Sequence, residues 1–160
     1  TVLSKAVDAF IEAREREGMA LGRDITAKIE NIKALASRIK ALSEDDIAKY
    51  PTKLESRIKQ LLSDFDVEIA EQRILTEAAV FADKASIDEE LVRLSSHFDA
   101  FAEILDSPEN SGRKLDFLLQ EINRESNTIA SKSANIEIAR IVVDIKAELE
   151  KIREQIQNIE

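Results

Sequence analysis

Apolar residues recur at helical spacing along most of the chain. In its first part, isoleucines stand seven residues apart and leucines offset from them form a second row of the same stripe: Ile25, Ile32 and Ile39 with Leu21, Leu35 and Leu42. This spacing predicts a long amphipathic helix from Leu3 to Leu42. The acid-rich residues 43–46 and the Tyr50-Pro51 pair follow. Because proline disfavours helix at the residue before it, they predict a turn.

Three shorter helices are predicted after that turn. The first begins at Pro51 and carries Leu54, Ile58, Leu61, Leu62 and Phe65. The second runs to about Ala85, with Ile69, Ile74, Ala78 and Phe81 facing inward. Ser86-Ile87-Asp88-Glu89 then matches a capping box, in which the Ser86 hydroxyl and the Glu89 carboxylate hold backbone amides. The third helix buries a row at steps of three and four, and ends before the loop at 106–112: Ile87, Leu91, Leu94, Phe98, Phe101 and Leu105.

From Arg113 onward no residue breaks the helical pattern, so one continuous helix is predicted to the end of the chain. Its last part has the heptad rows of a coiled-coil seam: Ile138, Ile145, Ile152 and Ile159 with Val142, Leu149 and Ile156. When the same register is traced backward, its positions are polar and form a stripe: Glu121, Arg124, Thr128, Ser131 and Asn135. Beside this stripe, a second apolar row is available for packing: Leu115, Ile122, Ile129 and Ile136. The stripe is either a solvated helix face or a hydrated crevice able to contact phosphate or ribose.

These patterns predict an all-α fold, a long-helix bundle with a terminal coiled-coil-like helix. Its expected regions are a helical arm and turn at 1–50, central helices at 51–110 and a C-terminal helical region at 111–160. The absence of cysteine excludes disulfides, thiolate metal sites and a cysteine nucleophile. There is no signal-peptide layout and no apolar run long enough to span a bilayer, so we expect a cytoplasmic protein without a membrane partner.

The formal charge of −9 argues against nonspecific binding of polyanions, because affinity for nucleic acid normally comes from cations. The charge is uneven, however. Residues 64–92 hold nine acids against two bases, whereas residues 113–135 hold four bases against three acids. A polyanion is therefore expected to prefer the second stretch and a divalent cation the first.

Few residues outside the polar stripe suggest chemistry. Glu90, Arg93 and His97 share one helix face, and His97 is the only histidine, the side-chain type that changes charge near neutral pH. It is a general base, a metal ligand or a partly buried polar residue. No P-loop, zinc-ligand pattern, GxSxG elbow or aromatic stacking platform is recognisable, so any RNA binding would rest mainly on backbone contacts.

Several long strings resemble one known family. They are GRKLDFLLQEINRESNTIASK at 112–132, KIREQIQNIE at 151–160, EAAVFADK at 77–84, IDEEL at 87–91 and RLSSHF at 93–98. Together they resemble the YicC family of endoribonucleases, also known from YloC-type proteins, most densely from about Arg73 to Glu160. The resemblance implies a bacterial, cytoplasmic, ring-forming homo-oligomer that cleaves RNA, with no DNA expected. The family's N-terminal mixed α/β domain is absent here. Because that domain could carry part of the substrate-binding or catalytic site, the chain could fold and assemble without cleaving RNA by itself.

The resemblance also implies roles for particular residues. The implied catalytic residues are His97, Glu121 and Glu125. A divalent cation, Mn²⁺ or Mg²⁺, would be held by Glu77, Asp83 and Glu121. The implied RNA-binding residues are Lys84, Arg93, Arg113, Lys114, Arg124, Asn127 and Lys132. The alternative is a noncatalytic oligomerisation or RNA-chaperone module. Convergence in space of His97, Asp83, Glu121 and Arg124 would favour the enzyme.

Overall fold

The computed structural model describes residues 2–61, 71–107 and 112–157. Within these ranges the chain forms helices and no strand, which confirms the all-α prediction: α1 (Val2–Leu61), α2 (Glu71–Ala85), α3 (Asp88–Leu105), α4 (Gly112–Lys132) and α5 (Ile136–Gln157). Over the same ranges, no helix is both long and apolar enough to cross a membrane.

The turn predicted after Leu42 is wrong, because α1 continues without a break through residues 43–50 and through Pro51. A proline inside a helix removes one amide donor and crowds the preceding turn. Packing offsets this cost, since α1 lies against α2 and the ring of Tyr50 stacks on the ring of Phe81 with a centroid distance of 3.7 Å. The helix predicted from Leu3 to Leu42 and the helix predicted to begin at Pro51 are therefore parts of one helix, α1. Leu62, Phe65 and Ile69 lie outside the described residues.

Only the middle of α1 belongs to the core. Its buried face begins at Ile25 and ends at Ile39, where it packs on α5 and α3. Residues 2–20 are all exposed, including Leu3 and Phe10. The amphipathic pattern predicted from Leu3 onward thus forms a helix, but only its second half is covered.

The continuous C-terminal helix is also wrong, because Ser133, Ala134 and Asn135 separate α4 from α5. Asn135 Oδ1 accepts a hydrogen bond from the Glu137 amide at 2.8 Å, and the Asn135 amide donates to Ser133 Oγ at 3.1 Å. Such short polar side chains compete with helical backbone bonds and cap new helices. Ile136, predicted to be in an apolar row, is consequently 70% exposed.

The two C-terminal helices form an antiparallel pair. The start of α4 meets the end of α5, where Arg153 Nε lies 3.0 Å from Asp116 Oδ1. The predicted seam of α5 is buried against α4 and α1: Ile138, Val142, Ile145, Leu149, Ile152 and Ile156. This seam therefore packs on other helices of the same chain, and Ile159 lies outside the described residues.

α3 starts differently from its prediction. The Ser86 hydroxyl donates to Asp88 Oδ2 at 3.3 Å, no side chain caps the helix, and the Glu89 carboxylate pairs with Arg93. The predicted capping box is therefore wrong. The predicted apolar row is confirmed, with four members buried and two half-buried: Ile87, Leu94, Phe98 and Phe101, then Leu91 and Leu105.

Candidate functional site

Two carboxylates occupy core positions where α3 packs on α4. Glu90 is 3% exposed and Glu125 is 1% exposed. Glu125 lies three residues after Ile122 and four before Ile129, so helical spacing places it on the buried face of α4. A charge in such a position is costly unless cations pair with it. The surrounding side chains supply those cations.

Arg93 and Lys132 connect the buried carboxylates. Arg93 Nη2 lies 3.1 Å from Glu90 Oε1, and Arg93 Nε lies 3.0 Å from Glu125 Oε2. Lys132 Nζ lies 2.9 Å from Glu90 Oε1 and donates a hydrogen bond to the Ser86 carbonyl at 3.1 Å. One cation from each helix thus crosses to the other, which fixes how α3 and α4 face each other.

The ion pairs change how these groups titrate. Burial alone would raise the pKa of the Glu90 carboxyl, but the hydrogen bond from Lys132, its own backbone hydrogen bond and the charges of Lys132 and Arg93 outweigh burial, so the pKa lies below its ordinary value. The contact with Glu125, helped by nearby acidic charges, raises the pKa of the Arg93 guanidinium despite partial desolvation. Both groups therefore remain charged at neutral pH.

His97 lies near two carboxylates of α4, those of Glu121 and Glu125. Each of the three side chains offers one ligand atom, and these atoms lie within 4.8 Å of one another. Arg124 Nη2 lies 2.9 Å from Glu121 Oε2 and 3.4 Å from Glu125 Oε1. These residues and Arg93 are referred to below as the α3–α4 cluster: Arg93, His97, Glu121, Arg124 and Glu125.

His97, Glu121 and Glu125 offer ligand atoms of the kinds that divalent cations bind. Two ligands of one ion, each bonded at about 2.1 Å, lie about 3 to 4.2 Å apart, so the three atoms need little movement. His97 Nε2 and Glu125 Oε2 are buried and have no hydrogen-bond partner of good geometry within the described ranges. Two carboxylates with an imidazole suit Mn²⁺ better than Mg²⁺, which prefers oxygen ligands throughout.

Other predicted site residues lie elsewhere. Glu77, Asp83 and Lys84 are exposed on α2, and in the described part of the chain neither acid belongs to a group with Glu121. The predicted metal set is thus not brought together, although three of the four residues chosen to test convergence do meet. The other predicted RNA-binding residues of α4 are exposed: Arg113, Lys114 and Asn127.

Sequence reasoning missed the part played by Glu90. Its signal was present, because Glu90 lies three residues after Ile87 and four before Leu94, which places an acid inside an apolar row. It also missed an aromatic stack between Tyr50 and Phe81, whose rings are nearly parallel at 3°. These two residues are far apart in sequence and meet only because α1 does not turn.

Comparison with known proteins gives a consistent result. The family described as "Endoribonuclease YicC-like, C-terminal" matches residues 39–160. A Clostridioides difficile protein named "Probable endoribonuclease YicC" is 46% identical over 164 residues, covering 100% of this chain and 56% of that protein. A Haemophilus influenzae protein of the same name is 35% identical over 163 residues, covering 100% of this chain and 54% of that protein. The chain spans about half the length of these curated relatives.

Proposed function

The chain belongs to the YicC-like endoribonuclease family, and on that premise we propose that its α3–α4 cluster takes part in cleaving phosphodiester bonds of RNA. The convergence of His97 with Glu121 and Glu125, next to two arginines, carries this proposal. A solvated helix face would not require a buried carboxylate such as Glu125.

Different residues of the cluster are suited to different steps of phosphodiester cleavage. The attacking oxygen, from water or from the ribose 2′-hydroxyl, loses a proton as it bonds to phosphorus. The ribose oxygen that leaves gains a proton as its own bond to phosphorus breaks. When it is not bound to a metal ion, His97 is suited to move a proton in this exchange. Arg124, whose side chain is 65% exposed, is suited to bind a non-bridging phosphate oxygen, while Arg93 orients Glu125 from the side.

We propose further that His97, Glu121 and Glu125 hold the divalent cation, which replaces the set of Glu77, Asp83 and Glu121. When bound, Mn²⁺ or Mg²⁺ would stabilise negative charge on the phosphate. Assembly of several copies, expected from the resemblance, also stays a proposal, because the seam on α5 is buried within one chain.

The decisive experiment separates catalysis from binding within α4. RNA carrying a 5′ label is incubated with wild type, Glu121→Gln and Arg124→Ala, with Mn²⁺ or with EDTA. Losing the Glu121 carboxylate should abolish cleavage while RNA binding survives, because a negative charge does not attract phosphate. Losing the Arg124 guanidinium should weaken binding and flatten its salt dependence, since a phosphate contact contributes to counterion release.

Matched controls make the outcome specific. The exposed Arg140 on α5 provides Arg140→Ala, which removes the same charge away from the cluster and should bind and cleave like wild type. Parallel reactions with a full-length relative test whether cleavage needs more than this chain. Full cleavage by Glu121→Gln, or by wild type in EDTA, would contradict the proposed site. The ends of the products identify the nucleophile, because attack by the 2′-hydroxyl leaves a cyclic phosphate.

A further inference from the structure

A cavity lies between α1, α2 and the link that joins α4 to α5. Its volume is about 470 Å³, within the range of small-molecule sites. Tyr50 from α1 and Phe81 from α2 form part of its wall. Of the candidate residues named from the sequence, only Lys132 and Asn135 of the polar stripe line it, so the cavity itself is a feature that only the folded structure reveals.

The aromatic part of the wall is a stacked pair. The two rings are parallel within 3° and 3.7 Å apart, and both side chains are half-buried. Each ring therefore covers one face of the other. Flat, partly exposed aromatic rings of this kind are the surfaces on which proteins stack the bases of single-stranded nucleic acid.

The polar part of the wall is held in place and balanced in charge. Asn135 Nδ2 donates to Asp46 Oδ2 at 2.6 Å, and Lys53 Nζ lies 3.7 Å from Asp46 Oδ1. Lys53 and Lys132 are matched by Asp46 and Glu137 around the cavity. A cavity without net charge gives no advantage to a phosphate group. It favours a flat, neutral ring that carries hydrogen-bonding groups at its edge.

Lys132 joins this cavity to the α3–α4 cluster. It lines the cavity, and its Nζ atom lies 2.9 Å from Glu90 Oε1. Glu90 pairs with Arg93, and Arg93 pairs with Glu125. A chain of three ion pairs therefore runs from the cavity to Glu125, one of the proposed metal ligands. Lys132 lies seven residues after Glu125 on α4, about 10 Å along the helix, so one RNA strand can reach both the cavity and the cluster.

We propose that this cavity holds one nucleobase of the RNA strand, near the bond that the cluster cleaves, with the base stacked against the Tyr50–Phe81 pair. This inference takes RNA as the ligand from the proposed function, whereas the cavity and its aromatic wall are features of the structure. It assigns the choice of cleavage position to α1 and α2, while the chemistry lies on α3 and α4.

The test combines a protein change with a substrate change. Oligoribonucleotides that each lack one base are cleaved by wild type and by Tyr50→Leu, which keeps an apolar side chain but removes the ring. For wild type, removing one particular base should raise KM about tenfold, as the loss of one base stack does. Tyr50→Leu should show that same loss on the intact strand and no further loss on the strand without that base. Tyr50→Phe, which keeps the ring, should behave like wild type.

The possible failures are distinguishable. If wild type cleaves and Tyr50→Leu responds to every missing base as wild type does, the base cavity is refuted and the proposed function stands. If wild type does not cleave, binding decides: Tyr50 is the only tyrosine of a sequence without tryptophan, so its fluorescence reports on the cavity directly. Quenching by uncleaved RNA, but not by an abasic strand, supports the cavity, and equal quenching refutes it. Circular dichroism melts of each variant confirm that it folds.

Discussion

Glu125→Gln tests the cluster through stability rather than activity. The substitution keeps the shape of a side chain that is 1% exposed and removes its charge. Breaking a fully buried pair by removing one partner costs about 3–5 kcal/mol. Here Arg93 is 37% exposed and still pairs with Glu90, so we expect a smaller loss, about 1–2 kcal/mol, because water and the second carboxylate compensate the guanidinium. A loss of that size lowers the melting temperature by about 2–8 °C for a domain of this length.

The same variant reports on metal binding. At a Mn²⁺ concentration about 100-fold above its Kd, binding stabilises a folded protein by about 2.7 kcal/mol. Wild type should therefore melt about 5–10 °C higher with Mn²⁺ than with EDTA. Glu125→Gln should show almost none of this rise, because a ligand has been lost. Differential scanning calorimetry of both proteins with and without Mn²⁺ measures the two effects separately.

A control on the same helix pair excludes a general effect of acid removal. Glu103 is exposed on α3, and Glu103→Gln should melt like wild type and respond to Mn²⁺ like wild type. A rise in melting temperature of equal size in wild type and Glu125→Gln would refute the assignment of this metal site. So would the absence of any rise in wild type at millimolar Mn²⁺.

Three other predictions concern the fold. Glu90→Gln should destabilise the protein at neutral pH. Because the folded-state pKa of Glu90 is lowered, its stabilisation is present above its ordinary pKa of 4.5 and is lost as pH falls through the lowered value, so the difference between variant and wild type in urea denaturation should be smaller at pH 3 than at pH 7. Ile145→Asp combined with Ile152→Asp should abolish the helical circular dichroism signal, whereas Val143→Asp on the exposed face should leave it unchanged; a folded double variant would contradict the burial of the α5 seam. Pro51→Ala should raise stability by about 1–3 kcal/mol in calorimetry, because it restores an amide donor inside a continuous helix; no gain would indicate a turn there.

The helical content of the chain could be predicted from sequence, but the points where helices end could not. Pro51 is a strong local signal for a turn, yet the stacking of Tyr50 on Phe81 involves a residue of another helix and is invisible to any local rule. At Asn135 the reverse holds. The apolar pattern continues across that position, and two side-chain hydrogen bonds with the backbone still end the helix.

The candidate site could be predicted only in part, because it too depends on contacts between helices that are distant in sequence. The catalytic roles of His97, Glu121 and Glu125 follow from strings that resemble a family, whereas spacing alone favours a solvated face for the polar stripe. Which acids share a cation depends on how α3 and α4 pack. Glu77 and Asp83 lie on α2, which the sequence pattern could not place relative to α4.

The exposed first part of α1 has a consequence for how sequence length can vary. A helix of 60 residues is about 90 Å long, and residues 2–20 account for about 30 Å of it beyond the buried face. Inserting one residue near Gly18 would turn everything before it by about 100° and shift it by about 1.5 Å. No buried contact would change, because the core of α1 begins at Ile25. Insertions or deletions in this segment would therefore change its length and its rotational position about the helix axis without changing the geometry of the cluster on α3 and α4.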